Sequence, residues 1–289
     1  MPEIQADLHL HTTFSDGTMT PTEIIRLCVE RGLKVISISD HDTTNGLPEA
    51  FEVAKSFPGL TIIPGIELST DVPGGEIHVL GYFVDHNDVD LQKVLQTFRE
   101  SREGRGEGMV KKLREMNIDI TWERVKEIAG EASIGRPHIA SALVEAGYVK
   151  YPKDAFDKYI GREGPAYVER MKLTPEDAIK LLLDHGAVPV MAHPTYSASK
   201  SDRSEVESIG EILADLKAAG LVGMEVYYGD YTPEQVSYLK ELSEKFDLIP
   251  CGGSDYHASG NPDEPEPGMA GPPLSTVEAL RAVKASMYV

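Results

Sequence analysis

The chain has 289 residues, 41% of them hydrophobic and 26% charged, enough to bury one large core or two modest ones and too mixed for a disordered, collagenous or coiled-coil protein. Lys and Arg number 28 against 47 Asp and Glu, and the formal net charge of −19 repels a long nucleic-acid duplex, so a nucleic-acid partner must be short. Cys28 and Cys251 stand far apart and form neither a disulfide framework nor a Cys-type zinc motif, as expected in a reducing cytoplasm.

Residues 1–7 have neither the basic nor the apolar region of an export signal. No later apolar run approaches the roughly 20 residues that cross a membrane, so a soluble, cytoplasmic protein with no membrane partner is expected. From there short apolar runs alternate with amphipathic stretches, the pattern of repeated βα units around a parallel sheet. Strands are predicted at residues 4–10, 34–39, 60–67 and 76–84, then at 187–192, 222–227 and 248–252. Between them Thr20-Pro21-Thr22-Glu23, Thr174-Pro175-Glu176-Asp177 and Thr232-Pro233-Glu234-Gln235 each place a hydroxyl cap before a proline at the first helical position. Ser275-Thr276-Val277-Glu278 offers a fourth capping box, opening a final helix that ends near Ser286. From about Asp88 to Leu173 the alternation stops and only helical periodicity is found, in pieces at 89–103, 107–116, 122–129, 137–146 and 153–160. The expected organisation is therefore an α/β part, residues 1–87 and 174–289, interrupted by a helical insertion, 88–173, that covers the active site. The Pro- and Gly-rich segment 258–273 reads as a surface loop overhanging the end of the last strand.

The chemistry gathers where the predicted strands end. His9 and His11 close the first strand, and residues two apart on a strand point to one face, so both imidazoles can reach one ion. An HxH pair alone is a weak signal, and Asp16 in Ser15-Asp16-Gly17 reads first as a turn carboxylate. The second strand ends in Asp40-His41-Asp42, the third in Gly65-Ile66-Glu67, and the fourth carries His78. Later strands end in Ala192-His193-Pro194 and Gly253-Ser254-Asp255-Tyr256-His257. A histidine bonded to backbone, or an acid capping a turn, explains any one of these. It would have to do so many times over at the same end of consecutive strands, where barrel-type α/β folds place their sites, and a metal site is the better reading.

In this order the residues His9, His11, Asp16, Asp40-His41, Glu67, His78, His193, Asp255 and His257 resemble the PHP superfamily of polymerase and histidinol phosphatase domains. The resemblance spans nearly the whole chain, and no motif position departs from the pattern. It implies a distorted (β/α)7 barrel of the α/β class with a helical insertion and a trinuclear metal site. Carried over by position, His9, His11, Glu67 and Asp255 would hold one ion, Glu67 as bridge with His78 and His193 a second, and Asp16, His41 and His257 a third. Two to three divalent ions are the implied cofactors, and the ligand types suit Mn, Fe and Zn alike. Gly135-Arg136-Pro137-His138 followed by Gly164-Pro165-Ala166-Tyr167-Val168 resembles a bacterial branch containing nucleoside 3′,5′-bisphosphate phosphatases, cyclic-phosphate dihydrolases and the short-RNA exonuclease RNase AM. There Arg136 is the natural phosphate clamp, with His138 joining it in substrate binding. The alternative for Arg136 is a salt bridge at a helix N-terminus.

Three divalent ions outweigh the carboxylates of Asp16, Glu67 and Asp255, and the positive surplus favours a phosphate ester as ligand. The implied reaction is metal-assisted hydrolysis, with activated water attacking phosphorus in line, Arg136 stabilising the phosphoryl oxygens, and Asp40 or His193 transferring a proton or orienting ligands. The expected partner is a small phosphorylated nucleotide or a very short RNA, and the oligomeric state stays open. Two alternatives remain. A histidinol-phosphatase-like enzyme would share the metals without needing the Gly135-Arg136-Pro137-His138 motif, and a non-enzymatic metal-stabilised module is disfavoured by the intact ligand set. Outside the motifs, Arg99, Arg102 and Arg105 could line a nucleotide path, but they alternate with Glu100, Glu103 and Glu107, so a solvated helix face is the better reading, with some of the arginines able to face the cleft. His86 and His185 read as surface or loop histidines and Cys28 as core, while Trp122 and Tyr167 either pack within the insertion or stack on a base. Asp42 and Glu225, also at strand ends, are candidates for supporting the ligands.

Overall fold

The computed structural model describes residues 4–72, 75–169, 173–194, 203–261 and 263–287. Residues 1–3 of the N-terminal stretch, 170–172 of the expected insertion and 262 of the expected overhanging loop lie outside the described residues. The seven predicted strands are β1 (Ala6–Leu10), β2 (Val35–Ile38), β3 (Thr61–Val72), β4 (Gly75–Tyr82), β5 (Val188–Met191), β6 (Gly223–Tyr228) and β7 (Ile249–Gly253), joined in one sheet in chain order. The sheet curls into a nearly closed barrel. Asp255 donates its backbone N–H to His9 at 2.9 Å and His11 donates to Tyr256 at 3.0 Å, stitching the end of β1 to the chain that follows β7.

The expected all-parallel arrangement fails at β4, which runs antiparallel to both β3 and β5 while the other neighbours are parallel. Only two residues separate Val72 from Gly75, too few for the crossover that a parallel pair requires, so β3 and β4 form a hairpin. The reversal decides the site. It brings the first half of β4, with His78, to the end of the barrel where the other strands finish.

Side chains alternate across the sheet with period two. Leu8, Val35, Ile63, Leu80, Tyr82 and Val190 pack together inside the barrel, and Val277 and Leu280 of the last helix join them. Each such fully buried apolar side chain is worth about 1.5 to 3 kcal/mol over its exposed state. The opposite faces of the strands, with Ile36, Ile38, Ile66 and Met224, pack in a second cluster with the surrounding helices. Cys28 is buried in that outer layer and Cys251 in the inner one.

The helices are α1 (Pro21–Glu30), α2 (Leu47–Ala54), α3 (Val89–Glu115), α4 (Trp122–Ala129), α5 (Arg136–Glu145), α6 (Pro152–Ala155), α7 (Pro175–Asp184), α8 (Arg203–Ala219), α9 (Pro233–Lys245) and α10 (Leu274–Ser286). A π-helical turn over Phe156–Ile160 follows α6. Thr20 and Thr232 close full capping boxes with Glu23 and Gln235, and Thr174 caps α7 through the N–H of Asp177. Ser275 does not cap. Helix α10 starts two residues earlier, after Pro273, and Thr276 donates instead to the Pro250 carbonyl at 2.9 Å, tying α10 to β7.

The two helices expected at 89–103 and 107–116 are one helix of 27 residues. Gly104, Gly106 and Gly108 suggest a break, yet Gly106 is buried and its bare backbone lets the Trp122 ring approach to 3.0 Å of where a Cβ would stand. Helix α3 thus joins two cores. Leu91 and Leu95 pack with the barrel helices, while Met109, Val110 and Leu113 pack with Val125, Ile139 and Leu143 of α4 and α5. Among the described residues no helix is long and apolar enough to cross a membrane.

A Cβ on Gly252 would lie 2.1 Å from the Tyr227 carbonyl oxygen across the β6–β7 ladder, so Gly252→Ala should force the strands apart. The expected loss is about 1 to 3 kcal/mol, read as a lower urea midpoint, and an unchanged midpoint would mean that the barrel yields there without strain.

Candidate metal centre and active site

Glu67, near the middle of β3, is the hub of the barrel mouth, with only 1% of its side chain exposed. Its Oε2 lies 3.3 Å from His9 Nε2, 3.3 Å from His11 Nε2 and 3.0 Å from His41 Nδ1. Its Oε1 lies 2.9 Å from His78 Nδ1 and 3.1 Å from His193 Nε2. Asp255, after β7, sets Oδ1 at 3.2 and 3.1 Å from His9 and His11 Nε2. Asp16 faces His257 Nε2 at 3.2 Å, His41 Nε2 at 3.6 Å and His11 Nδ1 at 3.7 Å. Three groups have ligand atoms within 4.8 Å of one another: His9, His11, Glu67 and Asp255; His41, Glu67 and His78; and His11, Asp16, His41 and His257. The first coincides with the expected set. The others share His41 and His11 more widely than expected, and His193 meets the same Glu67 oxygen as His78.

His193 and Asp255 both hold positive φ, 23° and 55°, a region costly for non-glycine residues. Each is pinned there, His193 donating its N–H to Glu225 Oε2 at 2.7 Å and Asp255 its N–H to the His9 carbonyl.

The donor set fits divalent ions. His9 Nε2, His11 Nε2, Asp16 Oδ1 and Glu67 Oε2 are buried and make no hydrogen bond, an arrangement that is costly unless a cation takes up the lone pairs. Burial alone would depress the His9 imidazole, yet Asp255, Glu225 and Glu67 carry it well above its ordinary value. Burial is likewise overcome at His257, where Asp16 and Asp255 raise the pKa to about 10. Conversely, although burial pushes them up, Asp16, Glu67 and Asp255 fall below the usual carboxylate range because His41, His257 and His9 face them. A metal ion binding here would therefore compete with protons for His9 and His257.

Around this cluster lies a supporting layer. Glu225 on β6 sets Oε1 at 3.1 Å from His9 Nδ1. Asp40 accepts from Thr12 N, Thr12 Oγ1 and Ser15 Oγ, each at 2.7 Å, so its carboxylate is engaged with the turn between His11 and Asp16 rather than with the imidazoles. Three supports carry no sequence signal beyond nearness to a strand end. The Tyr228 hydroxyl donates to Asp255 Oδ2 at 3.0 Å, Glu264 in the loop after β7 accepts the His257 N–H at 2.8 Å, and Ser69 Oγ stands 3.5 Å from His41 Nδ1.

The arginines of α3 do not form a solvated face. Arg99 donates to the Asp42 carbonyl at 3.1 Å, Arg102 pairs with the Asp42 carboxylate and donates to Ser69 at 2.7 Å, and Arg105 donates to the Val168 carbonyl at 2.7 Å. Glu100, Glu103 and Glu107 take the solvent face instead. A three-residue repeat advances nearly one turn, which is how one helix sorts the two signs onto opposite sides. Arg136 donates to Glu76 Oε2 at 2.6 Å, the salt-bridge alternative, and lies over the Phe156 ring. His138 is buried, and its Nδ1 accepts the Gly135 N–H at 3.0 Å, capping α5. Burial holds that imidazole below its ordinary pKa. His185 is no idle surface group, because its Nδ1 lies 2.6 Å from Asp88, the cap of α3. Trp122 packs against the core that joins α3, α4 and α5, and Tyr167 lies beneath the Arg105 guanidinium.

A seven-stranded barrel with one reversed strand and a histidine-carboxylate cluster at its mouth defines a metal-dependent phosphoesterase, and the chain belongs to the PHP family. The PHP domain matches residues 7–134. The chain is 32% identical over 252 residues to a 5′-3′ exoribonuclease of Haemophilus influenzae, covering 87% of this chain and 89% of that one. It is 30% identical over 256 residues to a 3′,5′-nucleoside bisphosphate phosphatase of Chromobacterium violaceum, covering 88% and 87%. A solved Bifidobacterium adolescentis protein assigned to the metal-dependent phosphoesterases superposes with a TM-score of 0.84 at 30% identity, over 98% of this chain and 97% of its own.

Glu225→Gln should weaken Mn²⁺ or Zn²⁺ binding about 10- to 100-fold, measured by calorimetry, because the amide no longer holds His9 as the carboxylate does. Unchanged affinity would leave Glu225 a purely structural acid. A second outcome concerns pH. With its folded pKa near 10, His257 stabilises the metal-free protein fully below its unfolded value of about 6.5 and loses that contribution as pH rises towards 10. Metal must displace the same proton, so the rise in Tm on adding Mn²⁺ should grow between pH 6 and pH 8.5. A constant or shrinking increment would contradict a proton-occupied cluster.

Proposed function

We propose that the protein hydrolyses small phosphate esters of nucleotides, with conversion of a nucleoside 3′,5′-bisphosphate to the 5′-nucleotide as its principal reaction. The observation that carries this reading is the juxtaposition of the Glu67-centred cluster with a wall of insertion arginines. Arg105 and Arg136 meet at Glu76, two residues along β4 from His78. An ester with two phosphates can be held by one at that wall while the other reacts at the cluster. The names of the Haemophilus and Chromobacterium relatives, an exoribonuclease and a bisphosphate phosphatase, support the same substrate class. Cyclic phosphates and very short RNA fall within the same reach, and the net charge of −19 works against longer polyanions.

Two to three divalent ions of Mn, Fe or Zn, held in the three ligand groups, would lower the pKa of a coordinated water towards neutrality and neutralise charge on the phosphoryl oxygens. His9, His11 and Asp255 share one group with Glu67; His78 and His193 face its other oxygen, with His41 grouped beside His78; Asp16 and His257 complete the third with His11 and His41. Glu67 would be the ligand shared between ions, since each of its oxygens faces a different set of imidazoles. Glu225 accepts from His9 Nδ1 and so leaves Nε2, which stands beside Glu67 and Asp255, as the nitrogen that would hold an ion. Of the two proton-transfer candidates, Asp40 is the positioning residue, holding the turn that carries Asp16, and His193, with 13% of its side chain exposed, is the one that meets substrate. Arg136 offers a planar fork to the phosphate that does not react, and His138 steadies the turn from which Arg136 projects.

Steady-state kinetics with Mn²⁺ test this reading. The kcat/KM for adenosine 3′,5′-bisphosphate should exceed that for 3′-AMP at least tenfold, and Asp255→Asn should abolish turnover of both. Equal values for the two nucleotides would remove the second anchor, and a preference for histidinol phosphate would assign the protein to small-molecule phosphatases of that type.

A further inference from the structure

We propose that Glu76 is an internal stand-in for the second phosphate, a carboxylate that occupies the anion seat between Arg105 and Arg136 and that substrate must displace. The inference rests on the bisphosphate reading above. Glu76 Oε2 accepts from Arg136 Nη2 at 2.6 Å, and its Oε1 lies 3.6 Å from Arg105 Nη2, so one carboxylate bridges two guanidinium groups. All three side chains are largely enclosed, with 18%, 9% and 19% exposure for Arg136, Arg105 and Glu76. A phosphate dianion carries more charge and more acceptor oxygens than a carboxylate, so it can displace Glu76 from two guanidinium groups.

The arginines are braced without Glu76. Arg136 lies 5.4 Å from the Phe156 ring centroid, and Arg105 lies 5.1 Å from that of Tyr167 while donating its Nε–H to Val168. They keep their orientation when the carboxylate leaves. Glu76 itself hangs on rotatable bonds from a strand held by its ladder to β3, so it can swing away without moving His78. Beside the group a small cavity opens, with Arg102, Arg105, Gly135 and Arg136 among its walls. Position fits as well. Alternate residues on a strand stand about 7 Å apart, and this separation between Glu76 and His78 is within reach of the two phosphates on one ribose.

Such a carboxylate sets specificity by competition. An ester with one phosphate reacts at the cluster with Glu76 still in its seat, and a second anion gains the seat only if it binds the two arginines better than Glu76 does. Substituting Glu76 should therefore sharpen the preference for the bisphosphate, which is opposite to the usual effect of removing a residue from a binding wall.

The experiment uses chelator-treated protein first, so that no metal ion draws the probe to the ligand cluster, with 5′-AMP as probe in calorimetry at neutral pH. Glu76→Gln should bind 5′-AMP at least tenfold more tightly than wild type, with one site per chain, and adding Arg136→Ala to that variant should abolish the gain. In the metal-loaded enzyme the ratio of kcat/KM for adenosine 3′,5′-bisphosphate over 3′-AMP should rise severalfold. Glu76→Asp, whose shorter carboxylate cannot span both arginines, should move both readouts in the same direction and guards against a fold defect in the glutamine variant. Equal or weaker 5′-AMP binding in both variants would overturn the proposal and make Glu76 a brace for the arginines. Tighter binding with no wild-type preference for the bisphosphate would keep the seat and reject the bisphosphate reading.

Discussion

Glu67 places one buried carboxylate within 3.3 Å of five imidazole nitrogens, and the upper half of the barrel is arranged around that convergence. Its own backbone is part of the arrangement. The Glu67 N–H donates to Asp40 and its carbonyl accepts from Asp42, extending β2 past its last ladder residue and fixing His41 between two carboxylates. Removing so many polar groups from water is affordable only if each finds an opposite charge, and mutual pairing alone leaves four buried ligand atoms without hydrogen bonds. The chemistry of the donor set therefore calls for cations, and the strained backbone at His193 and Asp255 is held by bonds to Glu225 and His9 that belong to the same network.

The reversal of β4 is what lets a barrel of short strands present so dense a cluster. Parallel strands offer ligands chiefly from the loops that follow them, whereas β3 and β4 continue as a paired ribbon from Glu67 to Val72 and from Gly75 to Leu80. His78 and Glu76 face inward from that ribbon, which acts as a rigid wall rather than a loop. The floor is apolar for the same geometric reason. Following β4 inward from the mouth, the alternating positions run His78, Leu80 and Tyr82, so one period of two passes from ligand to core, and the Tyr82 hydroxyl closes the base by donating to the Leu8 carbonyl at 3.0 Å.

Much of this was legible in the residues themselves. Strand positions follow from apolar runs, and the caps at Thr20, Thr174 and Thr232 follow from Thr-Pro pairs whose hydrogen bonds are local. The cluster at the strand ends was legible because residues two apart share a face. The direction of β4 was hidden because an apolar run reads the same both ways, and only the short Val72-to-Gly75 link carries the information. The continuity of α3 was hidden because Gly104, Gly106 and Gly108 weaken the helical pattern locally, a weak prior that the Trp122 contact at Gly106 overrides. Tyr228, Glu264 and Ser69 were invisible for a different reason. Tyr228 and Ser69 act through partners 27 and 28 residues away, and Glu264 reaches back seven residues across an irregular loop, so no spacing rule reaches them.

The charge of the molecule is sorted in space. Its surface is strongly acidic, yet Arg99, Arg102, Arg105 and Arg136 turn towards the barrel mouth while Glu100, Glu103 and Glu107 face solvent. Outside the mouth the field repels polyanions and is screened by salt within about 8 Å at physiological ionic strength, whereas the enclosed arginines are screened much less. An anion therefore gains only if it is small enough to pass inside. The position of the arginine wall relative to Glu67 is set by α3, whose first turns pack with the barrel helices and whose last turns pack in the core of α4 and α5. A helix anchored at both ends in apolar cores is a stiffer spacer than a loop, so the distance between the wall and the cluster, and with it the length of ligand that can touch both, depends on core packing rather than on surface residues.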